Sequence, residues 1–518
     1  MIRKIIFILS CFFIITGCTK LDEKLNGALP NLSSSGSTPD INALLNGVYH
    51  SAQTVFQTQD QYWALEEMTT DEMVGPTRGP DWDDNGVWRV LHAQKWDGDN
   101  IHIRDTYNSL LGIDFAATDL LRFDSTSSNA AQARFLKAFA DYIVLDGWDQ
   151  VPYRDPGEST LLPSRVRKGI DELNFIINEV NTALPNLPDG PAGVANKDAA
   201  KVLLMKCYLN KGVYANRAAP TFDAGDMNKV ISLADEVMTS SRGYTLATNY
   251  FDNFSPNNTT IGVENIWTQQ NDAGVSGSFG ATVRSRWHTV MHYNQNPGGW
   301  NGFTTLSDFY NKFEPSDTRR GVAYPTPGAP NPGNRINVGF YIGQQYDWAT
   351  DAPLTTRDKT IPLIFTPQVQ LIETDPKTLE LTGIRPNKFP IDYTNDGSGN
   401  VDNDYPYFRL PDVMLMKAEA ILRGGTATAG ETPLSLVNSI RSSRGASTLG
   451  SVTLDILLDE RGRELYLEGW RRQDLIRFGK FLAPFELKDY QSDPKYLLFA
   501  IPNQQLAVNP NLVPNPGY

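Results

Sequence analysis

The carboxylates near the C-terminus have the spacing that paired catalytic acids require. Glu460, Glu464 and Glu468 recur every fourth residue, in a stretch whose leucines fall at helical spacing. Side chains one helical turn apart have Cβ atoms about 5–6 Å apart, and retaining glycosidases use two carboxyl groups at about that separation. The neighbouring Arg461 and Arg463 favour ionised carboxylates, whereas a general acid needs a raised pKa. Of the two interpretations, a hydrolase dyad and a salt-bridged structural helix, we favour the structural helix.

Residues 75–100 break helical periodicity, so we predict one long loop there, and its tryptophans indicate a second kind of chemistry. Trp82 stands among Asp81, Asp83 and Asn85, with Arg78 close by in the sequence. The apolar C–H face of a sugar ring packs on an indole, while the sugar hydroxyls need planar donors and acceptors. We therefore predict that these five residues contact a carbohydrate ligand.

A later loop region repeats this combination of aromatic and polar residues. It contains Trp287 and Trp300, with Arg284 and Asn301 beside them. We predict that these four residues also contact the ligand. For each tryptophan the alternative is a loop anchor buried against the helices, and this alternative is weakest for Trp82 because its neighbours are so polar.

Metal-binding patterns are incomplete. Residues 81–86 follow the D-x-D-x-N-G start of a calcium loop, but the twelfth position, which needs a bidentate Glu, is His92. The stretch 392–403 has the same defect, since it ends in Asn403. We predict no metal site and no cofactor, with a structural Ca²⁺ as the lesser alternative.

The N-terminus has the pattern of a bacterial lipoprotein. Arg3 and Lys4 precede an apolar run that is too short to span a bilayer, and small residues precede Cys18. We predict a signal peptide over 1–17 and lipidation of Cys18, with palmitate among its acyl chains. A flexible tether rich in Gly, Ser and Pro follows over 18–39. The alternative is a plain secretory signal.

The composition is that of a globular, acidic protein. The 518 residues are 40% hydrophobic, and the formal net charge is −13 with no basic runs, which argues against a nucleic-acid partner. Helical periodicity dominates, and residues 245–405 are dense in Gly, Asn, Pro and Thr. We therefore predict a mainly α protein with an irregular, loop-rich region. Helices are predicted at about 104–122, 130–147, 167–184, 226–240 and 411–422, in a segment capped by Asn196, in one capped by Thr432, and from Leu454 onward.

Several motifs, in order, resemble the SusD/RagB family of Bacteroidota outer-membrane lipoproteins. They are ARFLKAFADYIVLDGWDQVPY (133–153), NKDAAKVLLMKCYLN (196–210), YPYFRLPDVMLMKAEAIL (405–422) and DERGRELYLEGWRRQDLIRFGK (459–480). The resemblance implies a SusD-like α-helical fold with four tetratricopeptide-type helix pairs supporting a loop-rich region. The implied regions are an N-terminal helical region at 40–244 and a C-terminal region at 245–518, the latter with variable ligand loops at 245–405 and closing helices at 406–480.

The resemblance also implies a function. It is that of a non-catalytic lipoprotein, anchored in the outer membrane and facing the exterior, that captures oligo- or polysaccharide for a TonB-dependent SusC-like transporter. The alternatives are a RagB-like import lipoprotein that binds peptide or protein and, less favoured, a glycoside hydrolase. Because the motifs belong to the framework, the resemblance transfers no binding role to Trp82, Trp287 or Trp300.

Overall fold

The helices begin at side-chain caps that the sequence supplies. In the computed structural model, which describes residues 39–274, 283–330 and 334–518, the Asn100 side chain accepts hydrogen bonds from the backbone N–H groups of residues 102 and 103. Ser127, Asn196 and Thr432 cap later helices in the same way. These caps satisfy N–H groups that have no acceptor within the first turn of a helix.

The N-terminal half consists of helices α1 to α8. They span Ile41–Gln57, Tyr62–Glu67, Val87–His92, Ile101–Phe123, Ser128–Trp148, Gly169–Ala183, Lys197–Ala215 and Ala224–Met238. The long helices α1, α4, α5, α6, α7 and α8 pack each against the next. Their tetratricopeptide assignment and the region boundary at 244 stay predictions. Residues Ile41–Tyr518 form one unit.

The C-terminal half contains shorter helices, α9 to α16. They span Asn258–Ile261, Arg284–His288, Ser307–Tyr310, Leu410–Leu422, Pro433–Ser443, Leu454–Leu465, Arg471–Arg477 and Asn503–Val508. Helix α12 continues the helical layer, since it packs against α8, α13 and α14. Within the described ranges, no helix is both long and apolar enough to cross a bilayer.

Eleven short strands, β1 to β11, pair with one another and so hold the loop segments together. They span Thr77–Arg78, Gln150–Tyr153, Arg165–Lys168, Asn265–Gln269, Gly321–Val322, Val338–Tyr341, Gly343–Gln344, Ile364–Phe365, Ile372–Glu373, Arg385–Asn387 and Tyr405–Arg409. The pairs β2–β3, β4–β11 and β7–β8 are antiparallel, as is the sheet β10-β6-β5. Strand β1 pairs in parallel with β9, and this pairing fixes the loop of Trp82 beside residues 372–382.

The mainly α class is confirmed, and two local predictions are wrong. Residues 75–100 are not a single loop, because Val87–His92 is helical and buries Trp88. The spacing of Glu460, Glu464 and Glu468 predicts a helix through residue 468, but the helix that starts at Leu454 is shorter. It ends at Leu465, where Leu467 and Gly469 take positive φ angles of 59° and 80°. The predicted signal peptide (1–17), Cys18 and the tether as far as residue 38 lie outside the described residues.

Candidate functional site

Two half-buried tryptophans from distant parts of the chain meet at one surface. The ring centroids of Trp82 and Trp300 are 6.4 Å apart, and the planes are inclined by 39°. The indole N–H of Trp82 donates to the backbone carbonyl of Trp300 at 3.0 Å. The structure therefore brings together two tryptophans that the sequence places 218 residues apart.

The loop geometry holds Trp82 in a strained conformation. Its φ is +60°, a left-handed conformation that costs a bulky residue roughly 1–3 kcal/mol. The ring packs at 4.7 Å from Phe303 and 6.0 Å from Trp88. Gly302 makes room for it, because a Cβ there would lie 2.5 Å from a carbon of the Trp82 ring. Burial of the back of the ring and the N–H bond offset the backbone strain.

Polar groups border the two indoles. The Tyr293 hydroxyl donates to Asp81 Oδ2 at 3.1 Å, and the Arg357 guanidinium lies 3.9 Å from the Tyr293 ring centroid. Burial, and then the neighbouring Asp81 carboxylate, raise the pKa of Tyr293, so its hydroxyl stays a donor. We call Asp81, Trp82, Tyr293, Trp300 and Arg357 the Trp82–Trp300 surface.

Trp287 and Arg284 do not offer surface to a ligand, which corrects the sequence prediction. The Trp287 side chain is 0% exposed and its N–H donates to Asp396 Oδ1 at 2.9 Å. Arg284 is 8% exposed, and its Nε donates to the Asp396 carbonyl at 2.7 Å. His288 bonds the same carboxylate and contacts the Trp300 ring at 5.5 Å. The His288 carbonyl also accepts from the Trp300 backbone N–H at 2.6 Å, so His288 links this buried group to Trp300.

Arg78 and Asn301 are also buried and offer no surface to a ligand, which corrects the sequence prediction for these two residues. The Arg78 guanidinium donates to the carbonyls of Gly302, Leu379 and Thr382. The Asn301 side chain accepts from Arg385 at 2.9 Å. Both residues are 2% exposed. They hold together the two loops that carry the Trp82–Trp300 surface.

Asp83 and Asn85 lie on the loop of Trp82 and remain accessible. Asp83 Oδ1 accepts from Arg89 at 2.5 Å, and this hydrogen bond is the main reason that the pKa of Asp83 is lowered. Asn85 is exposed, with φ at +57°. Contact between these two side chains and a ligand stays a prediction.

The aspartates of residues 81–86 face different partners instead of a common ion. Asp81 accepts from Tyr293, Asp83 from Arg89, and Asp84 Oδ2 from the Trp88 indole at 2.7 Å. Across the described parts of the chain, no three His, Cys, Asp or Glu side chains are grouped so as to hold a metal.

Glu460 and Glu464 are embedded in arginines. Both are 0% exposed. Glu460 pairs with Arg319 at 2.7 Å and Arg441 at 2.8 Å, and Glu464 pairs with Arg444 at 2.9 Å. Glu468, which follows the end of α14, pairs with Lys388 and with Arg409, and Arg409 also pairs with Glu464.

The protonation state of these carboxylates excludes a general acid. Burial raises the pKa of Glu460, but the guanidiniums of Arg319 and Arg463 outweigh burial and bring the pKa to about 2. The pKa of Glu464 is likewise lowered, with burial opposed by Arg444 and Arg409. Both side chains are therefore ionised and sealed from solvent, which confirms the structural helix over the hydrolase dyad.

Two residues of the Trp82–Trp300 surface, Tyr293 and Arg357, were not predicted from the sequence. Tyr293 lies in the same polar loop as Trp300, so an aromatic count of that loop would have found it. Arg357 carries no local signal. It reaches Tyr293 because residues 353–363 fold back beside 345 and because Glu380 accepts from its backbone N–H at 2.9 Å.

Comparison with known sequences identifies the family. The model of the SusD family matches residues 233–518, which is more than half of the chain. The chain belongs to the SusD family. It is 26% identical over 428 residues to the starch-binding protein SusD of Bacteroides thetaiotaomicron, covering 76% of this chain and 73% of that protein. A SusD-like protein P2 of Formosa agariphila is 24% identical, over 99% of both chains.

Solved structures share the SusD fold. A SusD superfamily protein from Parabacteroides distasonis aligns with a TM-score of 0.69 at 20% identity, covering 92% of this chain and 98% of that one. A laminarin-binding SusD-like protein aligns with a TM-score of 0.68 at 19% identity, over 92% and 99%. As a member of this family, the chain is a binding protein and not an enzyme.

Proposed function

We propose that this SusD-family protein is a lipid-anchored, cell-surface protein that captures oligo- or polysaccharide at the Trp82–Trp300 surface. It then delivers the ligand to a TonB-dependent SusC-like transporter in the outer membrane. The observation that carries the proposal is the pair of partly exposed indoles 6.4 Å apart. An aromatic stacking surface with planar polar groups beside it suits a neutral sugar chain.

The relatives support a glycan as the ligand. One is named for binding starch and another for binding laminarin, and a further structural relative was solved with laminarihexaose. Lipid anchoring through Cys18 and delivery to a transporter rest on the sequence pattern and on the family resemblance.

The test of glycan capture is affinity electrophoresis with a panel of neutral polysaccharides that includes starch and laminarin, followed by calorimetry. We expect wild-type protein to be retained by at least one polysaccharide. Trp300→Ala should weaken that affinity roughly tenfold or more, because a stacking surface is lost. Phe115→Ala is the matched control, since Phe115 is a 52% exposed aromatic residue on α4. Retention by none of the polysaccharides would contradict the proposal.

The test of delivery is co-purification. Tagged protein, extracted from the outer membrane in mild detergent, should bring with it a TonB-dependent transporter in a defined ratio. Recovery of the protein without any transporter would remove this part of the proposal and leave glycan capture standing.

A further inference from the structure

A cavity of about 250 Å³ lies beside β6 and β7, and its lining residues are different from those of the Trp82–Trp300 surface. Aromatic and amide side chains line the cavity, and we call it the Trp348 pocket. Its lining includes Asn334, Arg335, Tyr341, Gln344, Tyr346 and Trp348.

Trp348 supplies this pocket with an unused hydrogen-bond donor. The side chain is 6% exposed, and it packs 6.0 Å from Tyr341 and 6.5 Å from Tyr393. Among the residues that the structure describes, none accepts a hydrogen bond from its indole N–H. An indole N–H without an acceptor, on a largely buried residue that lines a cavity, can donate to a ligand that enters the cavity.

The charge in the pocket is compensated. The Arg335 guanidinium lies over the Tyr346 ring, 3.4 Å from the ring centroid. Its Nε donates to Asp351 at 2.8 Å. The remaining lining residues carry no charge. The pocket therefore combines flat aromatic and guanidinium surfaces with amide groups and one free N–H. These features suit a neutral, polyhydroxylated ring better than an anion.

The chain joins this pocket directly to the loop of Tyr293. Gln345, which also lines the pocket, accepts from the Gln295 side chain at 3.3 Å. On the other side, Tyr346 pairs with Pro353, and the segment from Pro353 leads to Arg357, which covers Tyr293. The four residue steps from Pro353 to Arg357 span at most about 13 Å when fully extended. Short segments of chain therefore join the pocket to the Trp82–Trp300 surface.

We propose that the Trp348 pocket is a second sugar-binding subsite, which receives one end of a neutral oligosaccharide whose other part lies on the Trp82–Trp300 surface. The proposal rests on the proposed glycan capture. It adds that ligand length is selected, because short oligosaccharides reach the Trp82–Trp300 surface alone.

The experiment compares short and long ligands by calorimetry. The probes are the disaccharide and the octasaccharide prepared from the polysaccharide that wild-type protein retains. Trp348→Phe keeps an aromatic ring, although a smaller one, and removes the N–H, so we expect affinity for the octasaccharide to fall roughly three- to tenfold, with no change for the disaccharide. Arg335→Ala, at a side chain that is 40% exposed, should have the same length-dependent effect and provides a second variant should Trp348→Phe fail to fold. Trp300→Ala should weaken both probes.

The outcomes separate the two proposals. Unchanged octasaccharide affinity in a folded Trp348→Phe or Arg335→Ala protein, together with loss in Trp300→Ala, overturns the subsite and keeps glycan capture. An equal loss of affinity for the disaccharide and the octasaccharide in Trp348→Phe or Arg335→Ala also overturns the subsite. Absence of wild-type binding to any polysaccharide overturns glycan capture, and the subsite falls with it.

Discussion

At the scale of single residues, three tryptophans of similar sequence context have different roles. Trp82 and Trp300 keep part of their rings accessible, whereas Trp287 is buried with its N–H on Asp396. That acceptor lies 109 residues away in the chain. The sequence can therefore identify aromatic residues in polar loops, but which of them faces solvent depends on a distant carboxylate that no local pattern reveals.

Gly302 offers a sharp test of the position of Trp82. A methyl group at Gly302 would lie 2.5 Å from the Trp82 ring, so we expect Gly302→Ala to displace the indole and to weaken polysaccharide affinity roughly tenfold, about 1.4 kcal/mol. The measurement is calorimetry with the polysaccharide that wild-type protein retains.

The matched control is Gly47→Ala on α1. A Cβ at Gly47 meets nothing within 4 Å, and alanine is the better helix former. We expect unchanged affinity and slightly higher stability in this variant. Equal affinity in Gly302→Ala and wild-type protein would show that Trp82 does not contact the ligand.

At the scale of elements, much of the helical framework follows from the sequence. Caps such as Asn196 and Thr432 and the apolar periodicity place most helices within a few residues. The sequence does not predict where α14 ends, because Leu467, a residue type with no preference for turns, adopts a φ of 59°. Its backbone N–H donates to Glu72 at 3.1 Å. A contact across 395 residues thus overrides the local helical pattern.

Helix α14 should be sensitive to loss of a single buried charge. Glu464→Gln leaves Arg319, Arg409 and Arg444 without their shared carboxylate. We expect the free energy of unfolding to fall by roughly 3–5 kcal/mol, the usual cost of breaking a buried pair. Urea denaturation measures this, and the variant should also reach the cell surface in smaller amounts.

The control on the same helix is Asp455→Asn. The Asp455 side chain is 76% exposed and pairs with Lys480 at 3.1 Å, and such exposed pairs contribute little. Its stability should stay within about 0.5 kcal/mol of wild type. A similar loss in both variants would contradict the special role of the buried carboxylate.

The stabilising effect of Glu460 should depend on pH. Its pKa is lowered from 4.5 to about 2 in the folded protein. Its contribution to the free energy of unfolding is therefore complete above the pKa of the unfolded chain, and it is lost as the pH falls through the pKa of the folded protein. A pKa lowered to this extent corresponds to about 3 kcal/mol of stability. We expect the stability difference between wild type and Glu460→Gln to be constant above pH 5 and to shrink between pH 5 and pH 2. A difference independent of pH in that window would show that Glu460 is not ionised in the folded state.

At the scale of the whole molecule, attachment to the membrane through lipidated Cys18 can be tested. Cys18→Ala should abolish palmitate labelling and move the protein from the membrane fraction to the soluble fraction, because the lipidated thiol is lost. Cys11→Ala, within the apolar run of the predicted signal peptide, is the control and should keep both properties. Labelling that persists in Cys18→Ala would contradict lipidation at this residue.

The buried carboxylates of α14 and the Trp82–Trp300 surface are built from different sets of side chains. The first set holds the framework together, and the second lies on loops held by Arg78, Asn301 and Asp396. Libraries randomised at Asp81, Tyr293, Trp300 and Arg357 should therefore yield folded proteins at high frequency. The chain is thus a promising scaffold for laboratory evolution of receptors for chosen polysaccharides, in which a binding preference can be exchanged without a search for compensating core mutations.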